Sequence, residues 1–220
     1  MTNWQTLTAT SFDRRYYEEH REAGLDYLGH GDWQHAYGRW LADSLRWRGK
    51  QVLDVGCACG SIAEGLRAAG VHSNGIDCNN HMIALGRERF PEMPLWVCDT
   101  VNLHLFADCS LNAIHSNQAA EHFRPELVPF ILREWYRVLK PGGLAFTVLD
   151  TPELYVRQDR RLEEEDPTHT CVRSLSWWHA QLQAAGFQDA AEEYRTELTT
   201  HAESYFNQYD WDWWLFRKRA

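Results

Sequence analysis

Leu53-Asp54-Val55-Gly56-Cys57-Ala58-Cys59-Gly60-Ser61 is the stretch on which the fold turns. The short run Gln51 to Val55 reads as a strand that carries the chain into a turn of glycines and small residues, and a helix-forming segment starts at once with Ser61. Strand, tight turn and helix in immediate succession make the first half of a βαβ unit. Such a turn lets a ligand approach the backbone, and the first helical N–H groups favour negative charge on it. The plain alternative is a strand–helix turn whose glycines serve geometry alone.

Outward from that point the same alternation continues. Downstream, Ser61 to Ala69 reads as a helix ended by Gly70, Val71 to Ile76 as a strand, and Asn80 to Arg89 as a helix stopped by Pro91. Leu95 to Cys98 and Leu111 to Ser116 read as strands three and four. Leu127, Phe130, Ile131, Trp135, Val138 and Leu139 recur at helical intervals between Glu126 and Leu139, and Lys140-Pro141-Gly142-Gly143 is expected to terminate that helix. Leu144 to Leu149 is a near-continuous apolar strand of the buried, parallel kind. Ser174 to Ala185 reads as a helix closed by Gly186, while Ala190 to Leu198 and Trp211 to Arg217 are read as two last strands. Upstream, residues 11–48 show helical spacing. The fold class expected is α/β, a Rossmann-like doubly wound sheet with helices on both faces and an N-terminal helical addition. With no repeat and no linker, residues 1–220 read as one domain: a helical cap (1–48), a cofactor-binding core (51–149) and a substrate-side loop (150–173).

The glycine frame separates two kinds of nucleotide ligand. A dinucleotide site wants G-x-G-x-x-G, but that frame meets Gly56, Ala58 and Ser61, a match at one position of three. The frame D-x-G-x-G-x-G meets Asp54, Gly56, Ala58 and Gly60 instead. A carboxylate at the end of a central strand is costly to bury unless something cationic or donating meets it. The second strand ends at Asp77 and the third at Asp99, so three acids stand at the carboxyl ends of successive strands, where doubly wound sheets bind ligands. Asp77 can accept both hydroxyls of a ribose, and Asp99 can accept from an adenine amino group. Each acid alone is ordinary in a turn. Together they suit S-adenosylmethionine, which carries an ammonium and a sulfonium and no phosphate.

At this point the sequence resembles the class I S-adenosylmethionine-dependent methyltransferases. The resemblance runs from about Gln51 to Leu149. It rests on Val52 to Cys57, Gly75-Ile76-Asp77, Ser116 to His122, and Arg137-Val138-Leu139-Lys140-Pro141-Gly142-Gly143, in the family's order and spacing. It implies a seven-stranded sheet whose last strand is antiparallel, and S-adenosyl-L-methionine as cofactor. It implies that Asp54, Gly56 and Gly60, with Cys57, Ala58 and Asn117 beside them, cradle the methionine part. Asp77 would hold the ribose, Cys78 and Thr100 would flank the adenine, and Asp99 would meet its amino group. Ala58 departs from the glycine that the family often carries there.

Methyl transfer from a sulfonium is an in-line displacement, so an enzyme has mainly to position the acceptor and remove its proton. His122, just after the fourth strand, is the leading candidate base, the alternative being a cap on the helix that starts near Pro125. His115 lies within a strand and reads as a buried, hydrogen-bonded residue. The loop Asp150 to Arg173 rises over the ligand edge, where substrates are recognised. In it Glu163, Glu164 and Glu165 read as a solvated face, whereas Asp166 and His169 form a polar pair on a tight turn, with His169 a second catalytic candidate. No metal is expected, a site of Asp166, His169 and a histidine near 122 being the minor alternative. Tyr16, Tyr17, Trp33, Gln34 and Tyr37 are candidates to close the site from the other side, or simply to pack.

A net charge of −9 argues against a nucleic-acid partner. The six cysteines lack paired C-x-x-C spacing and read as reduced thiols. No leader pattern and no run of roughly 20 apolar residues is visible, so a cytoplasmic protein without membrane association is expected. Eleven tryptophans are unusual, and several (Trp33, Trp40, Trp47, Trp177, Trp178, Trp211, Trp213 and Trp214) lie towards the ends of the chain, where they can bear on the substrate. A small-molecule acceptor is the favoured partner; a protein or peptide acceptor, a non-catalytic cofactor-binding protein and a nicotinamide oxidoreductase are the rivals. Oligomeric state is not legible.

Overall fold

The computed structural model describes residues 33–160, 166–200 and 211–219. Helix α1 (Trp33–Ser44) leads into strand β1 (Gln51–Val55), α2 (Ser61–Ala68), β2 (His72–Asp77), α3 (Asn80–Arg89), β3 (Leu95–Val97) and β4 (Leu111–Asn117). Two 3₁₀ turns, Ala120–His122 and Pro125–Leu127, precede α4 (Val128–Val138) and β5 (Leu139–Leu149). Then come α5 (Pro152–Arg157), α6 (Leu175–Ala184), β6 (Phe187–Asp189), α7 (Ala191–Thr200) and β7 (Asp212–Lys218). The sheet has seven strands in the order β3-β2-β1-β4-β5-β7-β6, and β7 runs antiparallel to both of its neighbours. This is the Rossmann-like architecture expected, with its last strand reversed.

Period-two alternation sorts the strands between two apolar layers. Leu53, Ile114, Ala145, Trp214 and Phe216 face one layer with Trp135 and Val138 of α4 and Trp178 and Leu182 of α6. Val52, Ala113, Phe146, Val148 and Leu215 face the other, with Tyr37, Trp40 and Leu41 of α1 and Tyr194 and Leu198 of α7. Helix starts carry side-chain caps: Asn79 accepts from the N–H groups of His81 and Met82, Thr151 from Leu154, and Ser174 from Trp177. Helix α1 lies against α2 at very close range. A Cβ on Gly38 would stand 2.5 Å from backbone atoms of Gly65 and Leu66, so only glycine permits this crossing.

Two expectations are corrected. Ala190 to Leu198 is not a strand; Ala191–Thr200 is helix α7, and the buried Tyr194 and Leu198 on it follow the buried Ala190 at intervals of four residues. The sixth strand is instead Phe187–Asp189, whose three residues are too few to show a period. Lys140 to Gly143 does not separate helix from strand either, because β5 runs from Leu139. Leu111 pairs with Leu139 and Ala113 with Leu144, so the extra residues around Pro141 are taken up in a bulge, where Gly142 adopts φ 78°. The tryptophans Trp40, Trp47, Trp178 and Trp214 are buried in the two layers and serve packing rather than an acceptor. Tyr16, Tyr17, Arg161 and Glu163 to Glu165 lie outside the described residues.

Candidate functional site

Strands β1, β2, β3 and β4 end side by side, and the turns that follow them form one edge. After β1 the chain turns through Gly56 (φ 72°), Ala58 (φ 48°) and Gly60 (φ 82°) before α2 begins. Ala58 holds the left-handed conformation that glycine takes without strain, consistent with the departure noted in the sequence. Its N–H donates to Asp77 Oδ2 (2.9 Å), and the N–H of Asn79 donates to Asp77 Oδ1 (2.8 Å). Asp77 thereby joins the turn after β1 to the turn after β2. Burial holds its carboxyl above the usual range, and the two N–H groups oppose that rise.

The other predicted residues divide by what their side chains meet. Asp54 is buried; its Oδ1 pairs with His115 Nδ1 at 2.6 Å and its Oδ2 has no hydrogen-bond partner among the described residues. His115 reaches the Tyr37 hydroxyl through Nε2 (3.3 Å), which makes it the satisfied core histidine expected. Tyr37, read as a site-closing or a packing residue, is therefore a core residue beneath β4, and Gln34 is buried too, whereas Trp33 is exposed. Cys57 turns its side chain into a small core with Ala63, Ile83, Met93 and Leu95, leaving only its backbone at the turn. Burial, and next the charge of Asp77, push the Cys78 thiol up to about 12. Asp99 accepts from the N–H of Val101 (2.9 Å), closing its own turn. Thr100 accepts from the indole N–H of Trp135 (2.7 Å), a contact no sequence signal announced. Asn117 ends β4, beside Gln118 in the left-handed region (φ 51°).

On the far side of β4 the structure gathers residues that are distant in sequence. His122 closes a 3₁₀ turn, and the helical turn beginning at Pro125 has Arg124, not His122, at its cap position; the capping alternative is thereby removed. The loop after α5 is pinned onto this turn. Cys171 N–H donates to the Glu121 carbonyl (2.7 Å), and the Thr170 hydroxyl donates to the Phe123 carbonyl (3.0 Å). The ring centroids of His122 and His169 then lie 4.6 Å apart, edge to face. Asp166 forms the expected tight turn, accepting at its carbonyl from His169 N–H (2.9 Å).

The tautomer of His122 follows from its neighbours. The Thr168 hydroxyl donates its single proton to Asp166 Oδ1 (2.7 Å), so at His122 Nδ1 (2.9 Å) it must accept. The neutral ring thus carries its proton on Nδ1 and its lone pair on Nε2. Tyr155 OH meets His169 Nδ1 at 2.8 Å. Beneath the pair Glu121 is fully buried, and among the described residues neither carboxylate oxygen has a hydrogen-bond partner. Burial, and next the nearby Asp150, hold its carboxyl well above the usual range. Asp150 itself is buried and pairs with Arg160 at 3.1 Å. Glu121, Asp150, Tyr155 and Thr168 were not identified as site residues from sequence. The Glu-His pair after β4 and the Asp-x-x-His turn were the only available signals, because the contact between them spans 46 residues.

Residues 52–143 match a protein family described as a methyltransferase domain. The chain is 27% identical over 165 residues to a biotin biosynthesis bifunctional protein of Cellvibrio japonicus, covering 74% of this chain and 32% of that protein. It is 28% identical over 133 residues to the ubiquinone biosynthesis O-methyltransferase of Pseudomonas entomophila, covering 53% of this chain and 52% of that one. The chain thus spans a third to a half of these relatives. Among solved structures, a chain of the complex between the Haloferax volcanii Trm112 methyltransferase activator and a methyltransferase superposes with a TM-score of 0.68 at 19% identity, over 94% of this chain and 97% of that one.

Proposed function

We propose that this class I S-adenosylmethionine-dependent methyltransferase transfers a methyl group to an oxygen of a small-molecule acceptor. Its cofactor is S-adenosylmethionine, which when bound supplies an electrophilic methyl group on a good leaving group. The residues present suit it. Asp54 Oδ2 is a buried carboxylate oxygen without a partner among the described residues, the kind of group that an ammonium satisfies. Each oxygen of Asp77 accepts one backbone N–H and retains acceptor capacity for one hydroxyl of a vicinal diol. Gly56 keeps the turn open to the backbone, since a Cβ there would stand 2.5 Å from the Cβ of Ala119. Asp54, Gly56, Cys57 (by its backbone), Ala58, Gly60 and Asn117 are the proposed methionine-side residues. Asp77 is proposed for the ribose, and Cys78, Asp99 and Thr100 for the adenine.

The observation that carries the reading is the junction at Asp77, which locks two strand-end turns together around one buried carboxylate. The acceptor side falls to His122 and His169, placed beyond β4 by the pinned loop. His122, with its lone pair on Nε2, is the proposed acceptor of the hydroxyl proton as the methyl group arrives, and Thr168 bonds to Nδ1 of the same ring. The relative named for ubiquinone biosynthesis is an O-methyltransferase, which favours oxygen over nitrogen as the accepting atom.

The test is formation of S-adenosylhomocysteine from S-adenosylmethionine with a panel of phenols, carboxylic acids and amines. Turnover with an oxygen acceptor supports the reading, and His169→Ala should then cut the rate ~10²-fold or more while cofactor affinity is kept. Cofactor binding with no turnover across the panel would favour a non-catalytic binder, and turnover confined to amines would overturn the oxygen assignment.

A further inference from the structure

The geometry points to a divalent metal site formed by Glu121, His122 and His169, and we propose that it takes a first-row ion such as manganese or iron(II). One ligand atom from each of the three residues lies within 4.8 Å of the others, a spread that small side-chain rotations would close onto a single ion. Two histidines and one carboxylate on one side of an ion leave further positions open, an arrangement suited to divalent first-row metals.

Independent support comes from the electrostatics beneath the pair. Glu121 is 0% exposed, and both of its oxygens lack a hydrogen-bond partner among the described residues. A buried carboxylate in that condition is expensive unless a proton or a cation meets it. Asp150, 1% exposed, adds a second acid, and Arg160 at 3.1 Å is the cation paired with it. Arg160 therefore offsets one of the two buried acids, and a cation held by Glu121 would offset the other. The surroundings also match what orients a metal-bound histidine, whose second ring nitrogen is ordinarily hydrogen-bonded to an oxygen. Thr168 Oγ1 occupies that place at Nδ1 of His122 and Tyr155 OH at Nδ1 of His169. The Thr168–Asp166 bond then sets the His122 tautomer, with the proton on Nδ1 and the lone pair on Nε2.

The three residues come from two segments: Glu121 and His122 from the 3₁₀ turn after β4, His169 from the loop after α5. The ion would hold that loop closed over the edge of the sheet. Its open positions would take an oxygen-bearing acceptor, a hydroxyl or a carboxylate, beside the cofactor turns. This last step rests on the function proposed above. Whenever the ion is bound, His122 is one of its ligands, and a hydroxyl acceptor acidified by the ion would give its proton to solvent water instead of to His122.

The full chain, stripped with a chelator, is titrated with manganese chloride, and free ion is followed by its room-temperature paramagnetic resonance. Manganese is chosen because it prefers nitrogen and oxygen ligands over the thiols of this cysteine-rich chain. The expected result is one ion per chain with a micromolar Kd, weakened at least tenfold in His169→Ala. Cofactor binding measured on the same variant reports whether it is folded; should it misfold, Glu121→Gln, nearly isosteric, takes its place and is expected to show the same weakening. No stoichiometric binding by the wild type, or equal binding by the wild type and the folded variant, overturns the site. The readout needs no methyl transfer. Metal binding without turnover would refute the acceptor reading and leave the site standing, and turnover without metal binding would do the reverse.

Discussion

Replacing Asp77 by alanine tests the cofactor site at the residue that organises it. Its two oxygens accept from Ala58 N–H at 2.9 Å and Asn79 N–H at 2.8 Å, which aims the remaining acceptor capacity out of the strand edge. Two hydroxyls donating to an ionised carboxylate contribute about 1.5–3 kcal/mol each, so losing both weakens binding by roughly 3–6 kcal/mol. At about 1.4 kcal/mol per decade, that is a loss of at least a hundredfold in affinity. The fold should survive. The variant loses two charge-assisted hydrogen bonds, but it also removes a carboxylate that burial disfavours. The assay is calorimetric titration with S-adenosylmethionine and S-adenosylhomocysteine, beside a thermal melt of each protein. Asp77→Asn separates the two contributions: its amide keeps one acceptor oxygen but must turn an N–H₂ towards Ala58 or Asn79, so an intermediate affinity is expected. A Kd within threefold of wild type in a folded Asp77→Ala protein would refute the assignment of this carboxylate to the ligand.

Two further perturbations probe the packing and the thiols. Gly38→Ala drives a methyl group into backbone atoms of α2 at 2.5 Å, atoms that cannot step aside as a side chain would. The expected loss is about 2–3 kcal/mol, at the upper end for overpacking, read as a lowered urea midpoint; an unchanged midpoint would mean that the helices separate freely. Alkylation at pH 8 should reach the exposed Cys109 first, because Cys57, Cys59, Cys98 and Cys171 are buried. Cys78, pushed up to about 12, holds only ~10⁻⁴ of its thiol as thiolate at that pH. Peptide mapping that found Cys78 modified as fast as Cys109 would contradict its placement between Asp77 and Asp99.

Much of this protein is local information and so is readable along the chain. The turn Gly56 to Gly60 with its flanking strand and helix, the acids at the ends of β1, β2 and β3, and the stop of α3 before Pro91 each depend on residues within a few positions of one another. The near-continuous apolar run Leu144 to Leu149 marked a strand covered on both faces, because neighbouring side chains must point to opposite faces. The errors arose where that local logic was ambiguous or too short. Buried positions four apart in Ala190 to Leu198 looked like a strand, and three residues of β6 looked like nothing. Tertiary packing alone decided the rest. The orphaned oxygens of Glu121, the pairing of Asp54 with His115, and the meeting of His122 with Thr168 and His169 each depend on where distant segments are brought, not on their own sequence. Residues 121 and 122 meet 166 to 171 only because β4 and β5 lie side by side and the loop beyond α5 is hydrogen-bonded back across them. A site built from contacts so remote along the chain exists only once the sheet has brought those segments together.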